Sequence, residues 1–276
     1  MTVQISLADD TLAPHQDVGH AHRVAPDIAY LRTVLVNVVF LGTAENWVLV
    51  DTGIPGSGDA IRSAADDLFG AGARPQAIIL THGHFDHVGA LESLSREWDV
   101  PVFAHPLEHT FLSGGAEYPP PDTHADGGLM PKLAPLFPRS PVDVSERLEP
   151  LPADGSVPQA PGWQWLHTPG HTPGHVSLWR QADSSMIAGD AFITTGQESA
   201  YEIAVQEIEM HGPPRYFTPD WIAAERSVRL LAEHRPRLVV TGHGRALAGP
   251  EMLNALTRLA QDFNSIALPE HLRDGR

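Results

Sequence analysis

The stretch THGHFDH, residues 81–87, places three histidines and one aspartate within six positions, directly after the apolar run at residues 77–80. These four polar side chains are His82, His84, Asp86 and His87. The apolar run predicts a short buried strand, and open α/β sheets place their chemistry on loops at the C-terminal ends of such strands. In an extended turn of this spacing, the first two histidines can bind one metal ion, while the aspartate and the third histidine face a second. Imidazole and carboxylate are ligands that zinc prefers, and histidine also suits iron or copper.

Three later side chains, each beside a glycine and at the end of a predicted strand, supply the further ligands that a metal site needs. They are His171 in TPGHTPGH, Asp190 in IAGDAF and His243 in VTGHGR. A neighbouring glycine lets the backbone approach an ion without a Cβ in the way. Together with the motif at 81–87, they predict a metal centre.

The composition limits the class of protein. The 276 residues are 42% hydrophobic and 19% charged, which is typical of a globular chain, and we interpret residues 1–276 as one domain. No apolar stretch approaches the roughly 20 residues of a membrane helix. Residues 1–17 lack the basic and apolar segments of a secretory signal. We therefore expect a cytoplasmic protein without a membrane partner.

The absence of cysteine and the acidic charge narrow the chemistry further. Without cysteine there are no disulfides or thiolate ligands, so the chemistry rests on histidine, carboxylate and hydroxyl groups. The 18 Lys+Arg against 34 Asp+Glu give a net charge of −16, whereas nucleic-acid binding needs a basic face. We expect a small-molecule substrate and no nucleic acid, and leave a homodimer open.

Hydrophobic periodicity predicts strands that alternate with helices. The predicted strands are 28–42, 46–53, 76–80, 100–105, 147–151, 163–168, 175–180, 185–190 and 237–244. The predicted helices are 57–72, 88–98, 218–234 and 249–263. Gly70 is placed to end the first helix, and Thr218 is the predicted N-cap of the third, with Pro219 as its first helical residue. This alternation favours an α/β fold with two sheet-and-helix halves.

Residues 113–142 interrupt the alternation with three consecutive prolines and many glycines. We interpret this segment as an ordered but irregular insertion. A lid over the site and a surface excursion without function both fit its composition.

An aromatic group near the start of the third predicted helix suggests an apolar pocket for an acyl chain. It comprises Tyr216, Phe217 and Trp221, and Phe85 and Phe192 complete the predicted pocket. Tyr216 would offer its hydroxyl to the substrate. Ordinary packing of a loop and a helix start is the alternative.

The chain resembles the metallo-β-lactamase superfamily, also called the metallo-hydrolase/oxidoreductase fold, through five motifs in the family's order. They are DTG at 51–53, THGHFDH at 81–87, TPGHTPGH at 168–175, GD at 189–190 and TGHG at 241–244. The resemblance covers about residues 28–262. It implies a four-layer αββα sandwich, in which two mixed β-sheets pack face to face with helices outside and the metals lie at one edge.

The resemblance also implies a role for each motif residue. The implied ligands are His82, His84 and His171 for one ion, Asp86, His87 and His243 for the other, and the bridging Asp190 for both. Asp51 would accept a hydrogen bond from a ligand imidazole, and His175 would support its loop rather than bind metal.

Two cations about 3.5–4 Å apart can share a water and make hydroxide available at neutral pH. We predict that this bridging hydroxide attacks a substrate carbonyl, while one ion stabilises the developing oxyanion and the other accepts the leaving group. Asp86 is the candidate proton donor to the leaving group. Two Zn²⁺ per chain are the expected cofactors, with iron or mixed metals as the alternative.

The substrate class predicted from the resemblance is an ester, lactone or thioester, since the chain looks most like lactonases and related hydrolases. Those lactonases place a tyrosine three residues after the bridging aspartate, where this chain has Ile193. A β-lactamase is less favoured because cysteine is absent and Asp190 is present. A glyoxalase II is less favoured because only 33 residues follow His243. A phosphodiesterase is less favoured because we see no basic surface of the kind that the RNA-processing members carry. A persulfide dioxygenase with one iron is the alternative reaction, and a binding protein with a purely structural metal is the third hypothesis.

Overall fold

The computed structural model describes residues 5–7, 19–125, 130–137, 142–196 and 208–273. The chain divides into two compact units, neither of which is one continuous segment. Unit 1 comprises Met1–Leu12, Pro119–Phe137 and His167–Arg276, and unit 2 comprises Ala13–Tyr118 and Pro138–Leu166. The interpretation of 1–276 as one domain stays a prediction.

Within the described ranges, the chain forms fourteen strands and eight α-helices. The strands are β1 (Ile5–Ser6), β2 (Ala21–Ala25), β3 (Ile28–Thr33), β4 (Val36–Thr43), β5 (Asn46–Val50), β6 (Ile78–Ile79), β7 (Val102–Ala104), β8 (Leu148–Pro150), β9 (Trp163–His167), β10 (Val176–Arg180), β11 (Ser185–Gly189), β12 (Glu209–Met210), β13 (Leu238–Thr241) and β14 (Leu247–Ala248). The helices are α1 (Gly58–Phe69), α2 (Leu91–Trp98), α3 (His109–Leu112), α4 (Met130–Leu133), α5 (Trp221–Glu233), α6 (Gly249–Gln261), α7 (Phe263–Ile266) and α8 (Glu270–Arg273). Short 3-10 turns occur at Pro106–Glu108, Ala134–Leu136 and Arg215–Phe217.

Unit 2 contains a mixed sheet whose described strands follow one another in chain order, from β2 to β8. Strands β2 to β5 pair antiparallel, and β5 to β8 pair parallel. Parallel neighbours need crossover connections. Helix α1 connects β5 to β6, and helix α2 connects β6 to β7. Helix α1 ends at Gly70, as predicted, where φ is +105°. Its buried Ile61 and Ala65 pack into the same core as Leu49 and Ile78 of the sheet.

One predicted strand of unit 2 is two strands. The run at 28–42 predicted a continuous strand, but Val34 lies at φ +68° and the Leu35 N–H bonds to the Thr33 carbonyl at 2.9 Å. The chain therefore reverses there and separates β3 from β4. A valine at positive φ is rare, because its branched Cβ clashes in that region, so the residue type carries no turn signal.

Unit 1 contains four described strands of the second mixed sheet, in the order β14-β13-β11-β10. Strands β11 and β13 pair parallel, with Gly189 opposite Thr241. Helices α5 and α6 bury apolar faces that include Val228 and Leu256. The two mixed sheets and their helices agree with the predicted α/β class.

The predicted N-cap of α5 was wrong. Asp220, not Thr218, caps this helix, because its Oδ1 accepts the N–H groups of Ile222 and Ala223 at 3.1 and 3.0 Å. The Thr218 hydroxyl instead donates to the Pro214 carbonyl at 2.8 Å. Aspartate caps at least as well as threonine, and it lies closer to the first free N–H groups.

Among the described residues, no helix combines the length and the apolar character that a membrane crossing requires.

Candidate metal centre

The loop group comprises His82, His84, Asp86 and His87 in unit 2, directly after β6. Its three imidazoles are buried and Asp86 is half-buried. The His82 ring lies 4.8 Å from the His84 ring and 4.1 Å from the His87 ring, measured between centroids. The structure therefore brings the predicted loop ligands together.

Asp51, on the loop after β5, holds this group from one side. Its carboxylate accepts the Thr81 N–H at 2.8 Å and the Thr81 hydroxyl at 2.7 Å. It also lies 2.8 Å from His87 Nδ1. Because a carboxylate only accepts, His87 Nδ1 carries the proton in this contact, as in the usual support of a metal-binding imidazole. The contact with His87 corresponds to the one that the resemblance implied for Asp51, and the two Thr81 contacts are additional.

Thr81 orients His82 in the same way. Its hydroxyl donates to Asp51, so it accepts from His82 Nδ1, 3.0 Å away. The lone pair of His82 is then on Nε2.

The strand-end group comprises His171, Asp190 and His243 in unit 1. His171 lies on the loop from β9 to β10, Asp190 directly follows β11, and His243 follows β13. All three are buried. Asp190 Oδ2 lies 3.4 Å from His171 Nε2 and 3.1 Å from His243 Nε2. The structure therefore places the carboxylate between the two imidazoles.

Two side chains support the strand-end group. His171 Nδ1 lies 3.1 Å from the Thr218 hydroxyl, which donates to Pro214, so Nδ1 is the donor in this contact. His175 Nδ1 lies 3.1 Å from the Thr168 carbonyl, and its Nε2 accepts the Asp190 N–H at 2.9 Å. His175 thus positions the Asp190 backbone, in keeping with the supporting role implied for it.

Gly170 explains how the His171 loop reaches its position. Its φ is +135°, and a Cβ there would lie 2.4 Å from the backbone nitrogen of Ala224 in α5. Only glycine permits this approach of the loop to the first turn of the helix.

Sequence reasoning missed four supporting side chains. They are Thr81, Thr218, Glu108 and Tyr118. Threonine, glutamate and tyrosine carry no pattern that marks such a role. For Thr81 alone a signal was available, because it is the first residue of the THGHFDH motif.

The predicted pocket aromatics differ in exposure. Phe192, Tyr216 and Trp221 are buried, whereas Phe85 and Phe217 are half-buried. Tyr216 packs with Ala125 and Ala134 of the 113–142 insertion, and the ring centroids of Trp221 and Phe263 are 6.2 Å apart. These contacts show core packing for Tyr216 and Trp221, and the pocket stays a prediction.

Together the two groups offer five imidazoles and two carboxylates, side chains that can hold a metal ion. Three of the imidazoles are held by a protein oxygen at Nδ1, which is the usual support of a metal-binding histidine. The donor set therefore fits zinc or iron.

Comparison with known proteins identifies the family. The model of the metallo-β-lactamase superfamily matches residues 31–243. A probable metallo-hydrolase of Bacillus subtilis (strain 168), YflN, is 43% identical over 251 residues, or 90% of this chain and 95% of that protein.

Solved structures share the fold. TTHA1623 in a di-iron-bound form is 28% identical with a TM-score of 0.52, over 83% of this chain and 96% of that one. A β-lactamase domain protein from Burkholderia ambifaria is 22% identical with a TM-score of 0.61, over 95% of this chain and 81% of that one. The predicted fold class is confirmed, and the chain belongs to the metallo-β-lactamase superfamily.

Proposed function

We propose that this protein is a dinuclear metal-dependent hydrolase that cleaves esters, lactones or thioesters at the carbonyl carbon. The observation that carries the proposal is the position of Asp190, whose Oδ2 is within 3.4 Å of Nε2 of both His171 and His243. The resemblance assigns these two histidines to different ions. The nearness of one carboxylate oxygen to both imidazoles supports a bridging role for Asp190.

The proposal joins the loop group and the strand-end group in one centre. The ligands would be His82, His84 and His171 for one ion, Asp86, His87 and His243 for the other, and Asp190 for both. Its support is the protein oxygen that each of His82, His87 and His171 contacts through Nδ1, the usual support of a metal-binding imidazole. Membership of the superfamily adds to this support.

Two divalent ions held by these residues would supply hydroxide at neutral pH and polarise a carbonyl oxygen. The protein's part is to hold the ligands and to move a proton. Asp86 is the half-buried carboxylate of the set and is our candidate for protonating the leaving group. The two ligand carboxylates only partly neutralise two divalent ions, so the site attracts an oxyanion although the chain carries −16.

For the acyl part of the substrate, the aromatic side chains with remaining exposure are the better candidates. Phe85 and Phe217 are half-buried and can still cover an apolar chain, whereas Phe192, Tyr216 and Trp221 are already packed. Phe85 lies inside the metal motif itself. We expect longer acyl chains to bind more tightly than acetyl.

The metal is proposed as zinc, with iron as the second candidate. TTHA1623 is similar to this chain and has a di-iron-bound form. The alternative function predicted from the sequence, a persulfide dioxygenase with one iron, is tested alongside the hydrolase. The cytoplasmic compartment and a homodimer stay predictions.

The test is metal content and turnover of protein purified without chelator, then stripped and reloaded with zinc or with iron. The substrates would be a phenyl ester, an acyl lactone and an acyl thioester, with oxygen uptake on glutathione persulfide measured in parallel. We expect about two ions per chain and metal-dependent hydrolysis.

The His84→Ala variant should stay folded and lose turnover, while His20→Ala, at an exposed position, should match the unmodified protein. One iron per chain with persulfide oxidation and no hydrolysis would contradict the proposal, and unfolding of His84→Ala would favour a structural metal.

A further inference from the structure

A buried pair from later in unit 2 holds the peptide between two proposed ligands. The Gly83 N–H, between His82 and His84, donates to Glu108 Oε2 at 3.0 Å and to the Tyr118 hydroxyl oxygen at 3.0 Å. The Tyr118 hydroxyl in turn donates to the same Glu108 oxygen. Glu108 has no exposed surface and Tyr118 has 7%.

The ring of Tyr118 is fixed on both sides. It stacks on Phe111 at 3.9 Å and meets the His84 ring edge-on at 4.4 Å, measured between centroids. Tyr118 therefore touches His84 through its ring and holds the preceding peptide through its hydroxyl.

The chemistry of the pair favours this arrangement. The Tyr118 hydroxyl is the donor to Glu108, because a carboxylate only accepts. A buried carboxylate is costly unless hydrogen bonds compensate it, and two of those bonds come from Tyr118 and Gly83.

Gly83 is the residue that allows the contact. A Cβ at this position would lie 2.6 Å from the Tyr118 hydroxyl oxygen and 3.1 Å from a Leu112 methyl carbon. A larger residue at position 83 would therefore displace Tyr118 or Leu112.

We propose that Glu108 and Tyr118 are positioning residues. They hold the backbone N–H of Gly83, between His82 and His84, so that both imidazoles face one ion. This inference rests on the proposed function. It gives the start of the 113–142 insertion a role other than that of a lid, because Tyr118 lies in that segment. Asp51 holds the flanking Thr81 and His87, and the pair holds the centre of the motif.

The experiment compares two variants. Tyr118→Phe keeps the ring and removes the hydroxyl, and the control Tyr30→Phe removes a hydroxyl from another buried tyrosine of the same unit. Zinc affinity of each site is measured by competition with a chromophoric chelator, and stability of the metal-free protein by urea unfolding. We expect Tyr118→Phe to weaken one of two zinc sites by about 10–100-fold, the range for outer partners of ligands. Tyr30→Phe should leave both affinities unchanged.

Unchanged affinity of both sites in Tyr118→Phe, whatever its stability, would overturn the inference and leave the pair a part of the core. If Tyr118→Phe does not fold, Glu108→Gln, which keeps the side-chain size but removes the charge, takes its place with the same expected loss. An unmodified protein that binds no zinc or iron would contradict the proposed function and this inference together. Two normal sites without hydrolysis would contradict the function alone.

Discussion

The two ligand groups are built in different ways. The loop group takes four proposed ligands from six consecutive positions after β6. Two buried carboxylates from distant segments, Asp51 and Glu108, accept hydrogen bonds from it. The strand-end group takes three ligands from three separate loops of one sheet. Its supports are a hydroxyl and an imidazole, from Thr218 and His175.

The difference follows from what each backbone can do. A loop has no ladder of hydrogen bonds to fix its shape, so the ligands at 82–87 depend on side chains from elsewhere. Asp190 and His243 follow strands that pair directly, with Gly189 opposite Thr241 and the Gly242 N–H bonded to the Gly189 carbonyl at 2.8 Å. The sheet itself sets their spacing. The loop group should therefore be more sensitive to loss of its supports.

The largest effect is expected from removing one ligand from either group. His84→Ala and His243→Ala should each lower kcat/KM by more than the roughly 10–100-fold that loss of an outer partner costs, since a ligand itself is lost. Each should also bind about one ion where the unmodified protein binds two. Steady-state kinetics and elemental analysis on the same samples make the measurement.

The same two variants would contradict a joint role of the loop group and the strand-end group in the reaction if their effects differ. If one of these variants loses all turnover while the other keeps normal kinetics and two ions, only one group serves the reaction.

Asp51→Asn should give the next largest effect. The amide cannot accept equally well from the Thr81 N–H, the Thr81 hydroxyl and His87 Nδ1, so zinc affinity should fall by about 10–100-fold. The free energy of unfolding of the metal-free protein should fall by about 1–3 kcal/mol, the usual cost of an unsatisfied buried group. Chelator competition and urea unfolding measure the two quantities. Unchanged zinc affinity would show that the loop holds its shape without this carboxylate.

Thr218→Val should give a smaller effect on the strand-end side. The variant keeps the side-chain shape and loses the hydrogen bond to His171 Nδ1, so zinc affinity should fall by about tenfold, the lower end of the range for outer partners. The matched control is Asp220→Ala two residues later, which removes the cap of α5. It should lower the free energy of unfolding by about 0.5–2 kcal/mol and leave zinc affinity unchanged. An affinity loss in Thr218→Val as large as in Asp51→Asn would remove the contrast between the groups.

How far the sequence could predict the site depends on the distance between partners along the chain. The loop ligands form one contiguous motif, and Gly70 ends α1 by a local rule. The strand-end residues were found through glycine-flanked motifs in the family's order. Thr218 lies 47 positions from His171, and Glu108 lies 25 positions from Gly83, so tertiary packing alone brings these partners together.

The central claim is that the two groups form one dinuclear centre, and X-ray absorption spectroscopy of the zinc-loaded protein tests it most directly. We predict that the extended fine structure shows imidazole ligands and a zinc–zinc distance of about 3.5–4 Å. The metal–metal signal should disappear in His243→Ala. Two zinc ions per chain without that signal in the unmodified protein would contradict the account, because the loop group and the strand-end group would then bind metal separately.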